Sequence, residues 1–290
     1  MNGDVVVILN PASGRGRGAR ARDAIERRLA ANGGRLIVTT HAGEAKELAA
    51  HAAREGARLV AAAGGDGTLG EVLGGIANTG CELGLIPLGT GNDFARATGV
   101  PRDAMRSLDL LWEGTPIAID YGTCGSVAFI NACGCGFDAA VAERINRGVG
   151  WATGTAAYLA AVVLTLARFR PARVRVEIDG VGASLDAMLV AVANGTSYGG
   201  GMRIAPKASP RDGLLDVVAI EAMGRGEFVR NFASVFRGEH IRHPKVRTWR
   251  GAEVRVASEP EWPVLADGEV VSRTPVAFGV RKGGVVMRLA

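Results

Sequence analysis

Three apolar runs in this chain end in small-residue turns that carry an amide, a hydroxyl or a carboxylate: Asn10-Pro-Ala-Ser-Gly14, Gly64-Gly-Asp-Gly-Thr68 and Gly89-Thr-Gly-Asn-Asp93. Glycines 64, 65 and 67 leave no Cβ between the backbone N–H groups and an incoming oxygen, which is how a turn cradles phosphate. Asp66 adds a carboxylate to the second turn, and Asp267-Gly-Glu269 supplies two more acids near the C-terminus. Together these residues could bind a nucleotide phosphate beside an acid or base. Backbone geometry explains a lone glycine turn equally well, with Asp66 making only its own turn bond. Asp267-Gly268 alone reads as a hairpin between Val264-Leu265 and Val270-Val271. Three such turns in the first third of the chain favour a phosphate crevice.

Periodicity indicates the elements that hold these turns. Val5 to Leu9 is a β-branched strand and Arg15 to Ala31 a helix; Arg35 to Thr40 is a strand and Glu44 to Glu55 a helix with Leu48 and alanines inward. Arg58 to Ala63 is a third strand, in which the run Leu59 to Ala63 is short, uncharged and bounded by glycine, as a buried parallel strand should be. Thr68 and Glu71 have the spacing of a capping box ahead of Val72, Leu73 and Ile76. Leu83 to Pro87 repeats the pattern before Phe94. Such alternation predicts a doubly wound parallel α/β sheet, with ligands in the crevice at the carboxyl ends of its strands.

Near Pro116 the pattern changes. Strand-like runs follow at 127–131, 173–178, 187–193, 214–220, 253–257 and 285–289, with a hairpin signal at Asp179-Gly180. Helices are fewer there: 138–146, the stretch from Trp151 to Phe169, and an amphipathic piece from Glu227 to Arg237. This predicts two domains: an α/β domain over 1–117 and a mostly antiparallel β-sandwich over 118–290.

The net charge of +5 is mostly arginine spread along the 290 residues, which suits an anionic nucleotide or membrane surface and argues against nucleic acid. Cys81, Cys124, Cys133 and Cys135 form no disulfide framework, and Cys133-x-Cys135 lacks a second pair for zinc, so buried free thiols are expected. The N-terminus has no basic region ahead of its short apolar run, which predicts a cytoplasmic protein. Trp151 to Ala167 is uncharged but short of the ~20 residues that span a bilayer, so it reads as a buried or lipid-facing helix without a transmembrane span. No Gly-x-x-x-x-Gly-Lys-Ser/Thr is present, and no dinucleotide fingerprint follows the first strand.

Over nearly its whole length the chain resembles the diacylglycerol kinase catalytic-domain family, which also holds sphingosine, ceramide and bacterial lipid kinases. The resemblance rests on six motifs in order: Asn10-Pro-Ala-Ser-Gly14, Gly64-Gly-Asp-Gly-Thr68, Pro87-Leu-Gly-Thr-Gly-Asn-Asp-Phe94, Asn194-Gly with Gly199-Gly-Gly201, Ala208-Ser-Pro-Arg-Asp-Gly-Leu-Leu-Asp216, and Asp267-Gly-Glu269. It implies ATP and Mg²⁺, a lipid acceptor presented by a membrane surface, and a cleft between an α/β domain and a β-sandwich. By position, Asn10, Pro11, Ala12, Ser13, Gly14, Thr40, Gly64, Gly65, Asp66, Gly67, Thr68, Leu69, Gly70 and Thr90 would line the nucleotide. Asp66 would stand near the triphosphate and its magnesium. Of the carboxylates in Asp267-Gly-Glu269, Glu269 is the first choice as general base and Asp267 the second. Ser209, Asp212 and Leu214 would hold a second, structural magnesium. Some relatives pair, so a homodimer is a further expectation.

Two departures stand out. Gly70 occupies a position that is usually Asn, and the chain stops straight after 285–289, where some bacterial members return a segment to the first domain; looser domain closure is expected. Two other functions compete: a kinase of a soluble acceptor such as NAD, since NAD kinases share the Gly-Gly-Asp-Gly turn, and a regulator that binds nucleotide or lipid without catalysis.

Overall fold

The computed structural model describes residues 4–146 and 154–290. Its first part runs β1 (Val5–Leu9), α1 (Ser13–Ala31), β2 (Arg35–Val38), α2 (Glu44–Arg54), β3 (Leu59–Gly64), α3 (Asp66–Ile76), β4 (Glu82–Pro87), α4 (Asp93–Thr98) and α5 (Ala104–Glu113). The four strands are parallel in the order β2-β1-β3-β4. Side chains alternate across a strand, so Val5, Val7 and Leu9 meet Ile25 and Leu29 of α1 and Leu108 of α5 on one face. Val6 and Ile8 meet Ala45 and Ala49 of α2 and Leu69 and Val72 of α3 on the other. Helices on both faces of a parallel sheet make this half doubly wound, as expected.

The rest of the chain is mostly antiparallel. It comprises β5 (Thr115–Cys124), β6 (Val127–Phe129), β7 (Ala132–Gly136), α6 (Phe137–Asn146), α7 (Gly154–Arg168), β8 (Ala172–Ile178), β9 (Val181–Ala193) and β10 (Leu215–Glu221). There follow α8 (Arg225–Phe232), two 3-10 turns (Ala233–Arg237 and Glu239–Arg242), β11 (Val246–Gly251), β12 (Glu253–Glu259), β13 (Pro263–Ala266), β14 (Glu269–Arg273) and β15 (Val276–Leu289). Asp179 and Gly180 both have positive φ, 47° and 83°, and join β8 to β9 as the hairpin signal predicts. The expected division between residues 117 and 118 falls inside β5.

Two expectations are corrected. The last strand does return to the first half: β15 runs antiparallel to β5, and Met287 sits beside Leu83 of β4. Arg288 forks onto Glu82 at 2.7 and 3.1 Å, a bidentate pair that ties the C-terminal strand to the parallel sheet. Thr68 and Glu71 do not form a capping box. Helix α3 begins at Asp66 behind Gly65, and Glu71 accepts the N–H groups of Gly43 and Ala45 at the start of α2.

Asp120 of β5 is the buried peg of the second half. Its carboxylate accepts N–H bonds from Gly213 at 2.7 Å and Gly283 at 2.6 Å, while its own N–H donates to Pro210. Asp120→Ala strands those amides, and we expect a loss of about 2–5 kcal/mol, measured by urea unfolding, because removing one partner leaves the others to bear their desolvation.

All four cysteines are free and buried, and burial pushes the Cys133 and Cys135 thiols well up. The expected Trp151–Ala167 helix begins in residues outside the described ones. From Gly154 onward it is helical, with Ala161, Val162 and Leu166 buried and Val163 and Leu164 exposed. Among the described residues no helix is long and apolar enough to cross a membrane.

Candidate active site

Strands β1 and β3 are neighbours, and the chain leaves them toward opposite faces, through α1 and α3. Such a switch point opens a crevice at the carboxyl ends of the two strands. Asn10, just past β1, donates from Nδ2 to Thr68 Oγ1 at 3.2 Å and accepts the Ala12 N–H. Gly65 and Gly89 bring the second and third turns into backbone contact: a Cβ on Gly89 would lie 2.4 Å from the Gly65 Cα. Arg17 donates to the Gly89 carbonyl at 2.7 Å, closing the first turn on the third. Gly14, Arg15 and Gly16 carry three successive positive φ angles, an interruption of α1 at the crevice. The three turns therefore form one backbone-lined site, of the kind that receives phosphate oxygens.

Asp66 sits where these turns meet. Its carboxylate accepts the N–H groups of Asp93 and Phe94, both at 3.0 Å, at the start of α4. Asn131 reaches it from the second half at 3.4 Å. Asp93 is buried and accepts the Gly200 N–H at 2.8 Å; burial raises its carboxyl, Gly200 and Arg96 oppose the rise, and the Asp66 charge adds to it. Asp267 has φ +44° in the β13–β14 turn, and its carboxylate accepts N–H bonds from Ile130, Asn131 and Ala132 at 2.6, 2.9 and 3.2 Å. Burial pushes it up to about 7 against those three bonds, and the Asp66 charge contributes to the rise. Asp267-Gly268 is thus a hairpin turn and also part of the crevice wall.

The remaining expected residues are placed as follows. Pro11, Ala12, Ser13 and Gly14 lead into α1 beside the third turn. Thr40 is exposed at the end of β2 and bonds Glu44 through its N–H and hydroxyl. Gly67 and Thr90 border open space, whereas Leu69 is wholly buried in the core. Gly70 faces Asp267: a Cβ there would be 3.4 Å from its Oδ2, so the usual Asn would lie against that carboxylate. Glu269 is exposed at the start of β14, next to Gly268, and its charge contributes to raising Glu71, whose burial is the larger cause.

Ser209, Asp212 and Leu214 lie in the loop before β10, pinned by Asp120. Asp212 pairs with Arg250 and accepts the Leu214 N–H at 3.0 Å. Arg250 bridges Asp212 and Asp216, so a hard dication held by Asp212 and the backbone carbonyls near Ser209 and Leu214 would have to displace that guanidinium. Among the described residues no group of three or more His, Cys, Asp or Glu side chains is placed to hold a metal.

The crevice continues into a cavity of about 490 Å³. Asp66, Thr90, Asp93, Asn131, Asp267 and Gly268 line its polar part, and Phe137, Val141, Leu189, Met202, Phe228 and Phe232 are among the apolar residues lining the rest. A chain of ring contacts runs from Phe137 through Phe228 and Phe232 to Phe236, which is exposed. Chemically, the arrangement can hold a phosphorylated group at one end and an amphiphile's chain at the other.

Sequence reasoning missed Asn131 and Asp138. Asp138, in the first turn of α6, is half-buried and lines the cavity; it accepts the Tyr198 hydroxyl at 3.0 Å and the Ala139 N–H at 2.8 Å. The signal that could have found it is Gly134 inside a strand, a position that often marks close approach. A Cβ there would lie 1.6 Å from the Asp138 Oδ2.

Burial pushes the Asp138 carboxyl up to about 6, against the bonds from Ala139 and Tyr198. A raised folded-state value means that the folded chain holds the proton more tightly than the unfolded one. Stability therefore falls as pH rises from about 4 to 6. Asp138→Asn should match the parent near pH 4 and exceed it by up to about 3 kcal/mol above pH 6. Urea unfolding across that pH range measures the difference.

Residues 4–124 match the family model described as the diacylglycerol kinase catalytic domain, and residues 131–287 the model described as the YegS C-terminal NAD kinase beta sandwich-like domain. The chain is 34% identical over 282 residues to a diacylglycerol kinase of Mycobacterium tuberculosis, covering 94% of this chain and 91% of the relative. It is 33% identical over 279 residues to a diacylglycerol kinase of Bacillus subtilis, with the same coverage. A crystal structure of a diacylglycerol kinase from Bacillus anthracis superposes with a TM-score of 0.80 at 25% identity, covering 99% of this chain and 96% of the other.

Proposed function

The chain belongs to the diacylglycerol kinase family, and from that membership we propose that it moves the γ-phosphoryl group of magnesium-bound ATP onto the hydroxyl of a diacylglycerol or related lipid. The observation that carries this reading is the continuity of the glycine-lined crevice with the apolar cavity. A nucleotide alone needs no cavity lined by Phe137, Phe228 and Phe232, and a polar acceptor such as NAD would leave those rings unmatched. A lipid fits both ends.

In this reading residues 1–117 serve the nucleotide and 118–290 the acceptor. The turns at Asn10–Gly14, Gly64–Gly70 and Thr90 would hold the phosphates, and Asp66 would be the carboxylate available to the magnesium that arrives with ATP, which supplies charge neutralisation of the phosphates. Glu269 takes the proton from the lipid hydroxyl; the freed oxygen attacks the γ-phosphorus, the bond to the bridging oxygen breaks, and ADP leaves. Asp267 has its oxygens engaged by three backbone amides. It therefore acts as the anchor of the turn and leaves the base role to the exposed Glu269. Phosphoryl transfer asks mainly for positioning and charge stabilisation, which these parts supply.

To test the reading, γ-labelled MgATP is offered a lipid panel and NAD together and the products are partitioned. Label in the organic phase supports a lipid acceptor; label in NADP replaces it with the soluble-acceptor reading.

The exposed Val163, Leu164, Val229 and Phe236 lie on α7, α8 and the following turn, which also contribute residues to the cavity wall. Arg230 and Arg242 are exposed nearby in sequence. Apolar side chains beside arginines suit an anionic membrane surface. Replacing both Val229 and Phe236 by Glu should lower activity on lipid in anionic vesicles about tenfold or more, since each added acid opposes an attraction of about 1 kcal/mol per basic residue. Activity on a short-chain acceptor free in solution should stay within about twofold, as surface changes seldom exceed ±0.5 kcal/mol.

A further inference from the structure

Three of the four buried thiols share one core. Cys124 ends β5, Cys133 and Cys135 lie on the same face of β7, and all three pack with Phe129, Val190 and Val264. The Cys133 S–H donates a hydrogen bond to the Cys124 sulfur, which holds Cys124 below the usual thiol range. Burial first, and that bond second, raise Cys133. We propose that Cys124 and Cys133 are a peroxide-sensitive dithiol, and that closing it to a disulfide shifts the segment that holds Asp267 and slows phosphoryl transfer. The slowing rests on the lipid-kinase reading above; the bridge does not.

The chain between the two thiols gives the bridge its consequence. They are nine positions apart, and the span between them contains Ile130, Asn131 and Ala132, whose N–H groups hold the Asp267 carboxylate. The Ala132 carbonyl also accepts the Asp267 N–H at 3.1 Å, and Asn131 reaches Asp66. The Asp267 charge contributes to raising Cys133, so thiol and carboxylate feel each other. A covalent bond is shorter than a hydrogen-bonded contact. Closing it draws Cys133 toward β5, and its neighbour Ala132 moves against the Asp267-Gly268-Glu269 turn.

The chemistry is that of a thiol pair with a hydroperoxide. The Cys124 thiolate attacks one peroxide oxygen, the O–O bond breaks, and the oxygen that leaves takes the released proton as water. Cys133 then attacks the sulfenic sulfur, the S–O bond breaks, and a second water carries off its proton. Two thiols lose two electrons and two protons, and one hydrogen peroxide becomes two waters. Cys124 is the entry point: only the exposed pair Gly125-Ser126 separates it from β6, a strand of three residues, and so short a pairing opens locally at little cost. Pairs of this kind in a reducing compartment are transient and redox-sensing.

The test treats the reduced protein with hydrogen peroxide and maps its thiols. The expected product is lighter by two hydrogens, with the Cys124 and Cys133 peptides joined and Cys81 and Cys135 free. On diacylglycerol in mixed micelles kcat should fall about 10–100-fold, up to what a displacement of about 1 Å costs, while stabilisation by ATP in a thermal shift is unaltered. Dithiothreitol should restore the rate. Cys124→Ala and Cys133→Ala should each keep their rate after peroxide, and in Cys133→Ala dimedone should trap the Cys124 sulfenic acid. With two single variants, a folding failure in one leaves the other as the control.

A treated wild type that keeps both thiols, or that joins either of them to Cys81 or Cys135, would overturn the pair. A Cys124–Cys133 bridge with unaltered kcat would overturn the shift. If the reduced protein phosphorylates no lipid, the lipid-kinase reading fails. The proposal is then judged by hydrogen exchange at Ile130, Asn131 and Ala132: it stands if the bridge speeds exchange of those amides, and falls if exchange is unchanged.

Discussion

Asp66→Asn is expected to lower turnover on MgATP and lipid by about 10²–10⁴-fold, the range lost when a group that stabilises or relays transition-state charge is removed. The structure adds a second, smaller effect. The carboxylate accepts two amide N–H bonds, from Asp93 and Phe94. An Asn can accept one and must turn its NH₂ toward the other. We therefore expect a stability loss of about 1–3 kcal/mol alongside the rate loss. Initial rates at saturating substrates, paired with urea unfolding, separate the two. A variant that keeps full turnover removes Asp66 from the reaction.

Glu269→Gln should cost a similar factor, about 10²–10⁴ for a general base, but without the stability change. Glu269 is exposed, and surface changes of this kind fall within about 0.5 kcal/mol. The contrasting variant is Asp267→Asn. It disturbs a carboxylate that holds three amides, so part of its activity loss should come through structure and appear as lower stability. If Glu269→Gln retains activity while Asp267→Asn loses it with no change in stability, the base is Asp267.

The polar half of the site was legible in the chain because it is built from local motifs. Each turn follows directly from its strand, so Asn10, Gly64 to Thr68 and Gly89 to Asp93 announce themselves in a few consecutive residues. What the switch point added is contact between them, such as Gly65 against Gly89. The apolar half was not legible. Its walls come from residues as far apart as Phe137, Leu189, Phe228 and Leu265, and apolar residues at helical or strand spacing look the same whether they surround a cavity or fill a core.

Other misreadings have local causes. The Thr68–Glu71 spacing fits a capping box, but spacing cannot say which helix a glutamate caps, and Glu71 reaches across to α2. Strand β15 was seen only from residue 285. Its register shifts between Arg281 and Val285, where Lys282-Gly283-Gly284 interrupts the alternation. Nothing in the 138–146 helix pattern singles out Asp138, although Gly134 four residues earlier held the clue.

The central claim is that the crevice and the cavity are two ends of one active site. Ala142 lines the cavity from α6, away from the phosphate turns, and Ala142→Phe narrows the space for an acyl chain. The decisive measurement is transfer of γ-phosphate to a long-chain diacylglycerol by this variant, with ATP binding followed in parallel by thermal shift. The account predicts transfer reduced about tenfold or more, in line with the 1–3 kcal/mol that overfilling costs, with ATP binding unchanged and a short-chain acceptor less affected. Undiminished transfer to the long-chain lipid would place the acceptor outside the cavity and contradict the account.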